Sequence, residues 1–154
     1  VASLSTNKLR QLLLQAASAS PALNLLSDTI KVMLVSPSYT PDKDHDFVDS
    51  ITGGSSKELT GTGYVAGFGG SGRKTLASKT VTKDNTNDIA FFDAADVTWT
   101  GINAGTVGFV AVIKEVTTDA DSPLLAVIDI SPDVVTNGSD YTEQWAADGL
   151  FKIA

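Results

Sequence analysis

The order of apolar and polar positions divides the chain into a short helical arm and a long succession of strands. In "LSTNKLRQLLLQAASAS" (4–20), Leu9, Leu12, Leu13, Ala16 and Ala17 recur at i, i+3, i+4, i+7 and i+8. That spacing predicts a helix with one apolar stripe. Ser5 or Thr6 is placed to cap it, because a side-chain oxygen satisfies first-turn amides that have no helical partner, and Pro21 stops it. With Leu14, Leu23, Leu25 and Leu26 added, the arm is more apolar than a lone surface helix requires. Two readings stay open: the arm packs on its own domain, or it reaches a neighbouring subunit. The second makes Leu9, Leu12, Leu13, Ala16, Ala17, Leu23, Leu25 and Leu26 candidate subunit-interface residues.

From Asp28 onward the period shortens toward two. "TIKVMLV" (29–35) is β-rich and apolar on both faces, as a buried strand is. Further runs follow at 74–84, 87–94, 96–99, 107–116, 123–130, 140–146 and 149–154, with Leu76 expected inward and loops at 36–58 and 66–73. Asn137-Gly138 is a strong tight-turn signal, and Pro123 and Pro132 are expected to bracket the 123–130 strand. About eight short strands with regular turn signals and no second long helix predict an all-β fold, a jelly-roll-like antiparallel sandwich preceded by one amphipathic helix. The expected organisation is an arm at 1–27 and a β domain at 28–154. The domain has apolar faces of its own and is expected to fold without the arm.

Composition narrows the function. The 154 residues are one domain's worth of chain, and the formal charge of −7 with only 11 Lys and Arg is a poor match to a nucleic-acid backbone. There is no cysteine, which excludes disulfides, thiolate zinc sites and cysteine nucleophiles. No apolar run approaches the roughly 20 residues of a membrane span, and the first residues lack the basic-then-apolar pattern of a secretory signal. Neither nucleic acid nor membrane is an expected partner, and the chain is expected to stay in the compartment where it is made.

Three stretches invite a chemical reading. "GFGGSGRKT" (67–75) has glycines at G-x-G-x-x-G spacing and falls one residue short of a P-loop. Arg73 intervenes between Gly72 and Lys74, however, and β-branched alternation follows where a phosphate-binding helix N-terminus is required. The expectation is a mobile, dispensable connector. "PDKDHDFVD" (41–49) begins like a calcium loop at Asp42, Asp44 and Asp46. Phe47 replaces the turn glycine and Gly53 the bidentate glutamate, so a solvated acidic loop is expected, holding the sole histidine, His45. Asp93, Asp96, Asp129, Asp140 and Glu143 could supply a carboxylate pair, and Trp99 and Trp145 a sugar-stacking face. Turn-capping and core-filling are the plainer roles for these residues. No catalytic, cofactor or metal assignment follows, and an enzyme is not expected.

The order of segments carries more. "DTIKVMLV", "SYTPDKDHDFVDS", "ELTGTGY", "KTLASKTVTKD", "FFDAADVTW", "VAVIKE", "SPLLAVIDI" and "YTEQWAADGLFKI" together resemble a family of small tailed-bacteriophage virion proteins over about residues 28–153. The resemblance implies a β-sandwich structural protein with no cofactor, such as a capsid decoration (cement) protein. "GFGGSGR" looks like an insertion where the family makes a short glycine turn, and the N-terminal arm looks longer than usual. The expected partners are a major capsid protein and further copies of the chain as a homotrimer, on the outer surface of the virion. The alternative is a tail or head-fibre adaptor whose β domain binds a host glycan.

Overall fold

The computed structural model describes residues 3–15, 18 and 21–154. Strand β1 (Ser3–Ser5) leads into helix α1 (Asn7–Gln15), followed by β2 (Ile30–Val35) and the single-turn helix α2 (Asp49–Thr52). The remaining elements are β3 (Lys74–Thr75), β4 (Thr80–Asp84), β5 (Ile89–Asp93), β6 (Val97–Trp99), β7 (Thr106–Lys114), β8 (Leu124–Val135), β9 (Tyr141–Glu143) and β10 (Phe151–Ile153). They form a five-stranded sheet in the order β1-β8-β7-β2-β3, a three-stranded sheet β10-β5-β4 and a two-stranded sheet β6-β9. Every named pairing is antiparallel. The fold is all-β and sandwich-like, with one short helix near its N-terminus.

The doubly apolar β2 has a physical explanation in what lies on each side of it. Ile30, Val32 and Leu34 alternate into the main core, which Val110, Val112, Leu125 and Ile128 share with Phe92, Trp99 and Phe151 of the smaller sheets. Met33 and Val35 point the other way, into a second cluster with Ala111, Ile113 and Leu124. Tyr39, Val48 and Ile51 close that second face, so the segment expected as a plain loop at 36–58 is a lid that contains α2. Both faces of the central strands are therefore dry.

Of the two readings left open for the N-terminal arm, the structure shows packing on its own domain. Ser3–Ser5 pairs with Ala126–Ile128, adding a strand to the main sheet before the helix starts. Thr6 is fully buried; its hydroxyl donates to the Leu124 carbonyl at 2.6 Å and accepts the Leu9 amide at 3.1 Å. Thr6 thus caps α1 and ties it to β8 at once. Leu9 and Leu12 are 0% and 1% exposed within the main core. The arm is consequently built into the β fold, and the expectation that the rest folds without it loses its basis.

Three finer differences follow from long-range pairing. The 74–84 run is two strands in different sheets, separated by Ser78 at φ 52°. Leu76 is buried as expected, whereas Val81 is 52% exposed. Strand β8 continues past Pro132, because the ladder shifts register there: Phe109 pairs with Asp129, but Val107 pairs with Val134. A proline without an amide hydrogen fits that gap. Asn137-Gly138 bends the chain, with Gly138 at φ 95°, but it closes no hairpin, since β9 pairs with β6 rather than β8. Among the described residues no helix is long and apolar enough to cross a membrane.

Candidate functional site

The glycine stretch 67–72, expected as a free connector, is held at both ends by specific contacts. Gly67 takes φ 93°, a backbone region that disfavours side chains, and donates its amide to Glu58 Oε2 at 3.0 Å. At Gly72 a Cβ would lie 2.4 Å from the Tyr64 ring, while its carbonyl accepts the Trp99 indole N–H at 2.7 Å and its amide donates to the Val65 carbonyl at 2.9 Å. Beyond it Arg73, the residue that spoils the P-loop spacing, turns fully inward. Its Nε and Nη2 donate to Glu58 at 2.9 and 2.7 Å, and its Nη1 and Nη2 to Asp119 at 2.6 and 3.0 Å. The guanidinium side chain is 0% exposed and Glu58's is 1% exposed.

Two bidentate carboxylates take four of the five N–H donors of a buried guanidinium, the pairing geometry for which Arg is suited. Burial opposes the charge on Arg73, but its hydrogen bonds to Glu58 and Asp119 outweigh that and raise its pKa. At Asp119 burial likewise favours the neutral acid, yet hydrogen bonds from Arg73 and Thr52 hold the carboxyl below its usual range. Tyr64, pushed upward by burial and by the Glu58 charge, donates to Glu58 at 3.1 Å and accepts the Leu34 amide at 3.0 Å. This is an internal lock joining the 58–73 segment, the 119 loop and β2. Arg73 is fully buried and already neutralised by two carboxylates, so it offers no free positive charge to a phosphate.

The acidic stretch 41–49 is spent on local structure. Asp42 accepts the Asp44 amide at 3.0 Å, and Asp44 accepts the Asn7 side-chain amide at 2.7 Å. His45 Nδ1 lies 2.7 Å from the Tyr39 hydroxyl, whose pKa burial and the Asp42 charge push up to about 12. The Asp46 carbonyl accepts the Leu124 amide at 3.0 Å. Among the described residues no three His, Asp or Glu side chains converge as a metal site.

The carboxylates singled out in the sequence are mostly dispersed. Asp140 caps the Gly101 amide at 2.9 Å, Asp96 accepts the Trp145 amide at 3.1 Å, and Asp129 lies exposed on β8. Trp99 is 0% exposed and stacks on Tyr141 with ring centroids 5.7 Å apart, a core residue as expected. Trp145 differs. It is half-buried, donates its indole N–H to the Ala95 carbonyl at 2.9 Å, and lines a cleft of about 300 Å³ with Glu143, Gln144, Asp148 and Lys152. Glu143 is 7% exposed and accepts the Tyr141 hydroxyl; burial raises its pKa despite that bond, and the Asp96 charge adds to the rise.

The leucines of the arm divide sharply. Leu9 and Leu12 belong to the chain's own core and are unavailable to a neighbouring subunit, which corrects their assignment as interface residues. Leu23 and Leu25 are partly buried against the same core. Leu13 and Leu26 are 40% and 53% exposed, while Ala16 and Ala17 lie outside the described residues. The most open leucine is Leu14, at 89%, which the stripe omitted. Its signal was present: a leucine two places beyond Leu12 lies off the core-facing stripe and has no inward role. Leu13 and Leu14 line a groove of about 610 Å³ with Ile153 and Ala154, flanked by Arg10 and Lys152.

No protein-family model, curated protein or solved structure matches this chain.

Proposed function

We propose that this chain is a structural protein of a tailed-bacteriophage virion, a capsid decoration protein that binds across major capsid subunits through the outer face of α1. The observation that carries the reading is Leu14, 89% exposed on a helix whose opposite leucines are locked into the core. An exposed leucine on a floppy arm loses much of its contact energy to ordering, whereas one on an anchored helix is preorganised. Fully burying a leucine contributes roughly 1.5–3 kcal/mol. Leu13, Leu14 and Ile153 on one platform would therefore resist separation of the subunits they span. The net charge of −7 suits an outer surface better than a wall facing DNA. The order of sequence motifs supplies the phage assignment.

The test is rebinding of purified protein to particles stripped of it, with copy number measured by quantitative gel or imaging. Wild type should bind in numbers comparable to the major capsid protein, and Leu14→Asp should bind at least about tenfold more weakly while keeping its fold. Undiminished binding by Leu14→Asp would refute the contact, and a handful of copies per particle would refute decoration. The cleft beside Trp145 favours the second reading, an adaptor that binds a host glycan, since a half-buried indole beside carboxylates suits a sugar ring. Quenching of Trp145 emission by host polysaccharide, abolished in Trp145→Ala, would select it.

A further inference from the structure

Strand β4 is the outer strand of its sheet, with β5 as its strand partner on the inner side. All of Thr80, Val81, Thr82 and Lys83 are exposed, and the β4–β5 register runs without a bulge from Thr80↔Asp93 to Asp84↔Ile89. Sheet edges of this kind are commonly blunted by prolines, bulges or several charges; here there is no proline or bulge, and the charges are confined to Lys83 and Asp84 at one end of the strand.

The direction of the free hydrogen-bonding groups follows from β5. Phe92 gives its carbonyl to the Leu150 amide at 2.8 Å, on the β10 side. Antiparallel pairs alternate between those that bond each other and those that face away. Val81, opposite Phe92, is thus in a pair that faces away, and the N–H and C=O groups of Val81 and Lys83 point to the open edge. Cross-strand partners share a sheet face. Val81 therefore continues the apolar row formed by Phe92 and Phe151, whose rings stack 5.2 Å apart, and the row ends there with Val81 52% exposed.

We propose that this edge is a strand-pairing surface, and that its occupant is β4 of a second copy, antiparallel across a twofold axis at Thr82. In that register Val81 faces Lys83 of the other copy twice, Thr82 faces its mate, and Thr80 faces Asp84. Each Val81–Lys83 pair joins residues whose backbone groups already point outward, so the ladder closes without rearrangement. Each valine is covered by the aliphatic stem of a lysine whose ammonium remains in water. Neighbouring registers are worse: one sets Lys83 against Lys83, and the other, although it brings Val81 onto Val81, sets Lys83 against Lys79 twice. Shifts by one residue oppose outward-facing groups with inward-facing ones and make no ladder. The edge is self-complementary in one register, and it joins two three-stranded sheets into one of six. The contact is twofold, where the family resemblance led to the expectation of a homotrimer.

The pure protein tests this independently of any virion role. Sedimentation equilibrium should show a reversible dimer for the intact chain. Val81→Lys, which opposes two ammoniums in each pair, should raise the dimer Kd by about tenfold or more. Val81→Glu, facing Lys83, should leave the dimer as tight or tighter. Lys83→Pro removes an outward amide but no β5 hydrogen bond, and should give a folded monomer by circular dichroism. A wild type that stays monomeric at its highest soluble concentration overturns the proposal, as does an oligomer indifferent to these substitutions. Equal weakening by Val81→Lys and Val81→Glu overturns it too.

Discussion

Removing Arg73 tests whether the 58–73–119 lock is structural in the way its geometry indicates. Arg73→Ala leaves the Glu58 carboxylate, 1% exposed, without the two bonds at 2.9 and 2.7 Å that neutralise it, and frees Asp119, whose side chain is 20% exposed. Breaking a buried ion pair by removing one partner costs about 3–5 kcal/mol, chiefly because the surviving charge stays buried. Against a total of roughly 5–15 kcal/mol for a domain, that is a large share. A chain of this length loses about 2–4 °C of melting temperature per kcal/mol, so a fall of about 6–20 °C is expected. Urea and thermal unfolding followed by far-ultraviolet circular dichroism give the global value. Trp99 emission reports the site itself, since its indole bonds to the neighbouring Gly72 carbonyl. Arg73→Lys should recover part of the loss, because one ammonium cannot fork to both carboxylates. Arg73→Met with Glu58→Gln should recover more than Arg73→Met alone, because the stranded charge is gone. A cost below about 1 kcal/mol for Arg73→Ala would match an exposed pair and refute the reasoning.

Leu9→Ala should destabilise by about 2–5 kcal/mol in the same assays, whereas Leu14→Asp should stay within about 0.5 kcal/mol of wild type; equal effects would mean α1 is docked differently. Gly72→Ala should cost about 1–3 kcal/mol by driving a methyl group into the Tyr64 ring, and deletion of 68–72 should cost at least as much; a neutral outcome would restore the free-connector reading. The raised pKa of Glu143 means its folded form favours the proton, so its contribution to stability is full below its unfolded pKa and is lost as pH rises through the folded value. Glu143→Gln should therefore raise stability at pH 7 relative to pH 4, measured as the difference in urea midpoint; a pH profile parallel to wild type would count against the shift. Asp119, with its pKa lowered, acts in the opposite sense, its contribution present above its unfolded value and lost as pH falls through the folded one. Asp119→Asn should flatten the acid limb of the profile.

Much of the fold was legible in the sequence, because it depends on near neighbours. Alternation placed β2, β5 to β7, β9 and β10 close to their observed spans, though not the end of β8, and the doubly apolar 29–35 run declared a strand buried on both faces. A cap at Ser5 or Thr6 and an apolar stripe containing Leu9 and Leu12 follow from helical spacing, but not whether that stripe faces its own core or a neighbour. What the spacing could not say is what lay opposite. Ser3–Ser5 has no strong β preference and is a strand because β8 has an edge to offer it. That pairing, with the Thr6 hydroxyl on a carbonyl 118 residues away, is what turned an expected separate arm into part of the sheet. The glycine stretch illustrates the same limit. Its spacing excluded a nucleotide site, yet the contacts that hold its ends come from Glu58, Tyr64, Trp99 and Asp119, brought there from as far as 46 residues away from Arg73. A local pattern states which faces must be buried, since burial follows periodicity. Which distant charges meet, and which leucine is left facing water, is decided when the sheets close over one another.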